Sequence, residues 1–323
     1  MKPVRILLVT PVPPDSNHGN ARTAVRWSAV LRGQGHDVVL RHSAEEIVEA
    51  DVLVALHARK SGAALAAFQQ RWPGHPVVLV LTGTDLYADL PDDPTARRSV
   101  ASADRIVVLQ ERGAERLPAT VRARVRVIPQ PAVAHIAWQP ANDTFGICVL
   151  AHLRAVKDPL LAARAAALLP ATSRIRVSLA GAVIDTALGV AATEEAGRNP
   201  RFRWLGELDA AGAEQLLAHS RALVVSSSME GGANAVAEAI VHGVPVLATA
   251  VDGNLGLLGA DYPGVFPVGD AAALAGLMVR AETDRAWFGA LQEAVVARQP
   301  FHRPELEAER IRQLLAELEI SLG

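Results

Sequence analysis

The sequence predicts an α/β protein built from two doubly wound domains in tandem. Three observations predict it. Short apolar runs alternate with helical stretches along the chain, the pattern of parallel strands buried on both faces. The alternation restarts after a short polar stretch, PAND, at residues 140–143. At 323 residues the chain exceeds one ordinary core, so two domains of about 150 residues are expected.

The first half reads in order as follows. VRILLVT at 4–10 is a strand, and PVPPDSNHGN at 11–20 is a loop dense in turn formers. A helix is expected over 21–32, with Ala24, Trp27 and Leu31 on one face. Gly33 and Gly35 end it, and 37–40 is the second strand. A right-handed crossover then puts the 15–20 loop at the carboxyl edge of the sheet. Strands at 52–56 and 77–81 lead into HARKS (57–61) and TGTDLY (82–87), polar clusters at the edge where parallel strands present ligands. Strands at 106–109 and 125–128 close a domain of residues 1–140.

The second domain, 141–300, opens on a strand at 145–150, then AHLRAVKDP and a helix over 159–169. Further strands are expected at 175–179, 202–205, 222–225 and 244–248. The last segment, 301–323, holds PELEAERIRQLLAEL, an amphipathic helix with Leu306, Ile311, Leu314, Leu315 and Leu318 apolar.

Composition narrows the function classes. Half the residues are hydrophobic and a fifth charged, with a net charge of −2 and no basic block. Neither nucleic acid nor a membrane is expected as a partner. The single cysteine, Cys148, lies in an apolar run and reads as a core residue, which leaves no disulfide and suits a reducing compartment. The first 14 residues read as a strand stopped by prolines and not as a signal peptide, and no apolar stretch approaches the ~18 residues of a membrane span. The expected location is the cytoplasm. Oligomeric state stays open.

The chemistry concentrates in 226–249, SSSMEGGANAVAEAIVHGVPVLAT. A buried strand is followed by Gly231 and Gly232, a helix from Ala233 to which Asn234 belongs, a stop at Gly243, and another strand. The first N–H groups of that helix lack intrahelical partners and favour an anion, and the glycines let a ligand approach the backbone. Glu230 at the turn and Glu238 eight residues on add two carboxylates, suited to sugar hydroxyls. A positive end for phosphate beside carboxylates for hydroxyls describes a nucleotide-sugar site. The plainer alternative makes Glu230 a turn residue and Glu238 a solvated helix residue.

Glu230-x7-Glu238, set in EGGANAVAEAIVHGVPVLAT, resembles the signature of GT-B glycosyltransferases of retaining family 4. The resemblance implies two Rossmann-like domains facing a cleft, with the terminal helix returning to the N-terminal, acceptor-binding domain. It implies that Glu230 contacts the donor sugar and Glu238 the nucleotide ribose. In AHLRAVKDP the family's diphosphate-binding pair maps onto Lys157 and, displaced by two, Arg154; the residue five before Lys157 is His152. Such cations would meet the charge that develops on the departing phosphate. WLGELD (204–209) resembles the segment flanking the base, with Leu208 near the base edge. Gly19 matches the family's N-terminal glycine loop or is a plain turn glycine. Beyond Thr249 the chain departs: VDGNLG stands where relatives carry Gly-Gly and Glu, with Asp252 and Asn254 as possible substitutes.

On the acceptor side, Asn17, His18, Asn20 and Arg22 share one loop and helix start, and His57, Arg59 and Lys60 another. They either favour a small anionic acceptor or are solvated loop charges. His57 is the candidate for proton handling or acceptor anchoring. Asp85 orients the acceptor or caps a helix, beside Thr82 and Thr84. Taken together, TPVPPDSNHGNARTA, TGTDLY, AHLRAVKDP and SSSMEGGANAVAEA resemble one narrower group, the selenosugar synthases of selenoneine biosynthesis. That resemblance implies transfer of a sugar from a UDP-sugar, with UDP-N-acetylglucosamine the expected donor, onto selenophosphate, and His57, Asp85 and Glu230 as the catalytic candidates. No cofactor and no divalent metal are expected. The alternatives are an ordinary family 4 transferase with a carbohydrate or other small-molecule acceptor, and a nucleotide-sugar-binding protein without turnover.

Overall fold

In the computed structural model, which describes residues 2–16, 18–42 and 47–318, the chain forms two compact units. One takes the chain up to Gln130 and again from Pro304 on; the other runs from Pro131 to Arg303.

The first unit contains β1 (Arg5–Val9), α1 (Gly19–Gly33), β2 (Asp37–Arg41), β3 (Val52–Leu56), α2 (Gly62–Arg71), β4 (Val77–Val80), α3 (Pro94–Ser102), β5 (Arg105–Val108) and β6 (Val125–Val127). They form one parallel sheet in the order β2-β1-β3-β4-β5-β6. The central strands are buried on both faces because every residue of β3 and β4 is apolar. One face packs Trp27 and Leu31 of α1 together with Ile311, Leu314 and Leu315 of the terminal helix. The other packs Leu65 and Phe68 of α2 and Val100 of α3.

The second unit contains β7 (Phe145–Leu150), α4 (Leu161–Ala167), β8 (Ile175–Ala180), α5 (Thr186–Arg198), β9 (Phe202–Trp204), α6 (Ala210–Ala218), β10 (Ala222–Val225), α7 (Asn234–His242), β11 (Val246–Thr249), α8 (Asp252–Leu258), β12 (Val265–Phe266), α9 (Ala271–Thr283) and α10 (Arg285–Val296). Its parallel sheet runs β12-β11-β10-β7-β8-β9. Cys148 is fully buried in the core of this unit, which pushes its thiol pKa up to about 12. Among the described residues no helix is long and apolar enough to cross a membrane.

The division between units falls at Gln130 and Pro131, ten residues before the expected boundary at 140. The intervening segment is bound to the second unit by hydrogen bonds. Ala132 N–H donates to the His302 carbonyl, Trp138 Nε1 to the Ser220 carbonyl and Gln139 N–H to the Ala218 carbonyl. The terminal helix α11 (Pro304–Ala316) belongs to the first unit. Its Glu307, nearly fully buried, accepts from Arg26 Nε at 2.9 Å and from Trp27 Nε1 at 2.9 Å.

Two further differences bear on function. The helix expected over 21–32 starts at Gly19, so Gly19 and Asn20 join Arg22 in its first turn instead of lying in the loop. The stretch after β11 that departs from the family pattern is the helix α8.

Candidate active site

A doubly wound sheet binds ligands where its strand order reverses, beyond the carboxyl ends of the two strands that diverge there. In the first unit those strands are β1 and β3; in the second they are β7 and β10. Among the described residues the non-glycine positions with positive φ are His57 (74°), just after β3, and Asp158 (37°), on the loop after β7. Uncommon backbone of this kind gathers at functional sites. The helix ends agree. Asp93, Asp185, Asp209, Asp270 and Asp284 cap α3, α5, α6, α9 and α10 with their side chains. No side chain caps α1, α2, α4, α7 or α8, the helices that follow β1, β3, β7, β10 and β11.

In the second unit the loop after β7 and the turn after β10 meet. Lys157 Nζ donates to Glu230 Oε1 at 2.6 Å, and Ser227 Oγ donates to the same oxygen at 2.6 Å. Ser226 Oγ donates to the carbonyls of Lys157 (3.0 Å) and Asp158 (2.8 Å), and Ser228 N–H to that of Val156. Ser226 and Ser228 thus hold the two loops together, while Ser227 holds Glu230 within its own turn. Glu230 is nearly buried, with Lys157 half-buried above it. Gly231, Gly232 and Ala233 lead into α7, which opens at Asn234 without a side-chain cap and closes at Gly243 with φ 70°. Glu238 lies half-buried on α7, and its carbonyl accepts from His242 Nδ1 at 2.8 Å. Gly253 lets α8 abut the turn: a Cβ there would stand 2.1 Å from the Glu230 carbonyl oxygen.

The other donor candidates have these places in their own units. Arg154 is exposed on the loop after β7 and precedes the 3-10 turn Ala155–Lys157. His152, five residues before Lys157, uses its Nδ1 to accept the Ala182 N–H at 3.1 Å and so fixes the loop. Leu208 is half-buried after the edge strand β9, beside the α6 cap Asp209. Gly19 opens α1 in the first unit.

In the first unit the loops after β3 and β4 are joined through Asp85. This carboxylate is wholly buried, and its oxygens accept from the backbone N–H groups of Ala58 (3.0 Å), Thr82 (2.9 Å) and Gly83 (2.8 Å). With three backbone donors and no exposed surface, Asp85 fastens loops instead of touching an acceptor. His57 is also buried. Lys60 N–H donates to its Nδ1 at 3.4 Å, which leaves the hydrogen on Nε2 to point at Thr84 Oγ1, 3.1 Å away. Burial, the largest influence, lowers the His57 pKa; Lys60 and Arg59 act in the same direction, against Asp85 and Asp89. The ring is therefore a neutral, fixed group. Arg59 pairs with Asp89 at 2.9 Å, an acidic partner outside the residues expected at this site. Lys60 and Thr84 are exposed and Thr82 half-buried, while His18, Asn20 and Arg22 sit at the start of α1. Asn17 lies outside the described residues.

The model of the family described as glycosyl transferases group 1 matches residues 135–296. The chain belongs to that family. No curated protein matches this glycosyltransferase. Among solved structures it is similar to sucrose-phosphate synthase from Thermosynechococcus elongatus, at 16% identity and a TM-score of 0.80 over 97% of this chain and 98% of that one. It is similar to Anabaena HepE in complex with UDP-glucose, at 14% identity and a TM-score of 0.79 over 98% and 100%. It is also similar to the lipopolysaccharide outer core galactosyltransferase WaaB, at 12% identity and a TM-score of 0.70 over 97% and 99%. These likenesses establish the fold, GT-B, with its two Rossmann-like units.

The matched residues of this glycosyltransferase span the β10–α7 turn with Lys157 and Glu230. Several supporting residues went unread in the sequence. Ser226 and Ser227 come just after β10 and Thr249 ends β11, and that placement of hydroxyls at strand ends was the available signal.

Proposed function

We propose that this glycosyltransferase transfers a sugar from a UDP-sugar, UDP-N-acetylglucosamine, to selenophosphate, as a retaining-family-4-type enzyme acting in the cytoplasm. The observation that carries the donor half is the Lys157–Glu230 pair beside the uncapped start of α7. A cation and unpaired backbone N–H groups suit a diphosphate, and a carboxylate suits sugar hydroxyls. In this reading Gly231, Gly232, Ala233 and Asn234 approach the phosphates, Glu238 holds the ribose and Glu230 the sugar. Arg154 adds charge from the exposed loop. Lys157 and the helix end meet the charge on the leaving UDP, so no metal is called for.

Selenophosphate is the acceptor the sequence resemblance favours. Its selenium attacks the anomeric carbon; the C–Se bond forms as the C–O bond to the diphosphate breaks, and the electron pair leaves with UDP. The acceptor is itself nucleophilic, so no strong base is needed. The buried His57 fits that demand: burial lowers its pKa and makes it a weaker base than a free imidazole.

One observation favours a second reading, transfer to a carbohydrate acceptor. Arg59, expected to bind an anion, is already paired with Asp89. The experiment that separates them incubates the enzyme with UDP-N-acetylglucosamine and selenophosphate, and looks by mass spectrometry for a selenium-bearing sugar. UDP release that requires an added glycan would assign the second reading. Treatment with EDTA should leave the rate unchanged; a loss restored by magnesium would end the metal-free proposal.

A further inference from the structure

We propose that Thr249 and Asn254 are positioning residues for Glu230, acting through Ser227. The inference rests on the reading of Glu230 as the donor-sugar contact.

Glu230 Oε1 is held from the protein side by the Ser227 hydroxyl at 2.6 Å. Ser227 can aim that hydroxyl only if its own backbone is fixed. Its carbonyl accepts from Thr249 Oγ1 at 2.6 Å, and Thr249 is wholly buried at the end of β11. Thr249 Oγ1 has given its hydrogen to Ser227, so it accepts from Asn254 Nδ2 at 3.1 Å. The same Nδ2 donates to the Thr249 carbonyl at 3.0 Å. Because a carbonyl can only accept, the Asn254 amide cannot be turned round, and its Oδ1 faces the interior with no hydrogen-bond partner. Asn254 is wholly buried, in α8. A buried amide that leaves one oxygen unsatisfied calls for an explanation, and what its other half holds supplies one.

The backbone of Glu230 is braced from the same element, since Gly253 leaves no room for a Cβ beside its carbonyl. Hydrogen bonds thus run from α8 through the ends of β11 and β10 to one carboxylate. Asn254 does not replace a sugar-binding side chain in the departure after Thr249; it is too deeply buried to touch a ligand and stiffens the residue that does. Positioning of this kind acts on the reacting geometry more than on nucleotide binding.

The test compares Thr249→Val, which keeps the shape and removes the hydroxyl, with Thr249→Ser, which restores it. Affinities for UDP and for UDP-N-acetylglucosamine are measured by calorimetry, together with kcat and thermal stability. The expected result for Thr249→Val is a kcat lowered roughly tenfold, the scale of one lost hydrogen bond. UDP affinity should hold, UDP-N-acetylglucosamine affinity should fall toward it, and Thr249→Ser should recover both. Ser227→Ala, at a small side chain that tolerates truncation, should give the same split if Thr249→Val does not fold. Equal losses for UDP and UDP-N-acetylglucosamine would show a merely structural role and overturn the proposal. Glu230→Gln separates the two readings. If that variant still distinguishes UDP-N-acetylglucosamine from UDP as the wild type does, the donor reading fails and the positioning role falls with it. If it loses the distinction while Thr249→Val and Ser227→Ala keep wild-type behaviour, the positioning role alone is wrong.

Discussion

Lys157 Nζ lies 2.6 Å from Glu230 Oε1, joining the loop after β7 to the turn after β10. The two residues are far apart in the chain, but β7 and β10 are adjacent strands, and the sheet order reverses between them. The pair therefore marks the place where an open parallel sheet receives a ligand. A diphosphate arriving there offers Lys157 a second partner. Replacing Lys157 by Met removes a charge-assisted hydrogen bond, worth about 1.5–3 kcal/mol. UDP affinity should then fall roughly 10- to 150-fold by calorimetry. Unaltered affinity would remove Lys157 from the donor site.

The second unit carries an acid-sensitive carboxylate. Burial alone would raise the Glu214 pKa. Hydrogen bonds from the His135 N–H and ring, the His242 ring and the Ile136 N–H outweigh it and leave the pKa below the usual carboxylate value. With the folded pKa depressed, the stability these bonds contribute is present above the unfolded value and is lost as pH falls through the folded one. Urea denaturation from pH 7 downward should show Glu214→Gln less stable than wild type at neutral pH, with the gap closing in acid. A gap that stays constant with pH would show that the ionised form is not what is held.

How much of this was legible in the sequence depends on what each feature rests on. The strands were readable because β3, β4 and β10 are short, valine-rich apolar runs bounded by polar or turn-forming residues, the pattern of a strand buried on both faces. The stop of α7 was readable because Gly243 takes a positive φ and Pro245 follows. Three features were not. The start of α1 at Gly19 was hidden by the turn formers before it. The unit boundary was hidden because the polar linker signal falls at 140–143, while the 131–139 segment before it is claimed by carbonyls of residues 218, 220 and 302. The roles of Asp85, Asp89 and Ser227 depend on partners across neighbouring strands, which spacing along the chain does not encode.

The terminal helix gives a third prediction. Glu307 is nearly buried and accepts from Arg26 and Trp27, and Gln34 Nε2 donates to the Ala308 carbonyl beside it. Glu307→Ala would leave the Arg26 guanidinium partly buried without its counter-charge, a change that costs about 3–5 kcal/mol in such pairs. Chemical denaturation should show a loss of that order. A variant within 0.5 kcal/mol of wild type, about the range of an ordinary surface substitution, would mean that α11 does not depend on this pair.

The donor site itself is tested most directly by a crystal of the protein soaked with UDP. Density for the diphosphate is expected at the start of α7, within hydrogen-bonding distance of the Lys157 ammonium and the backbone N–H groups after Gly231. UDP bound elsewhere, with Lys157 still closed on Glu230, would contradict a nucleotide-sugar site at this turn.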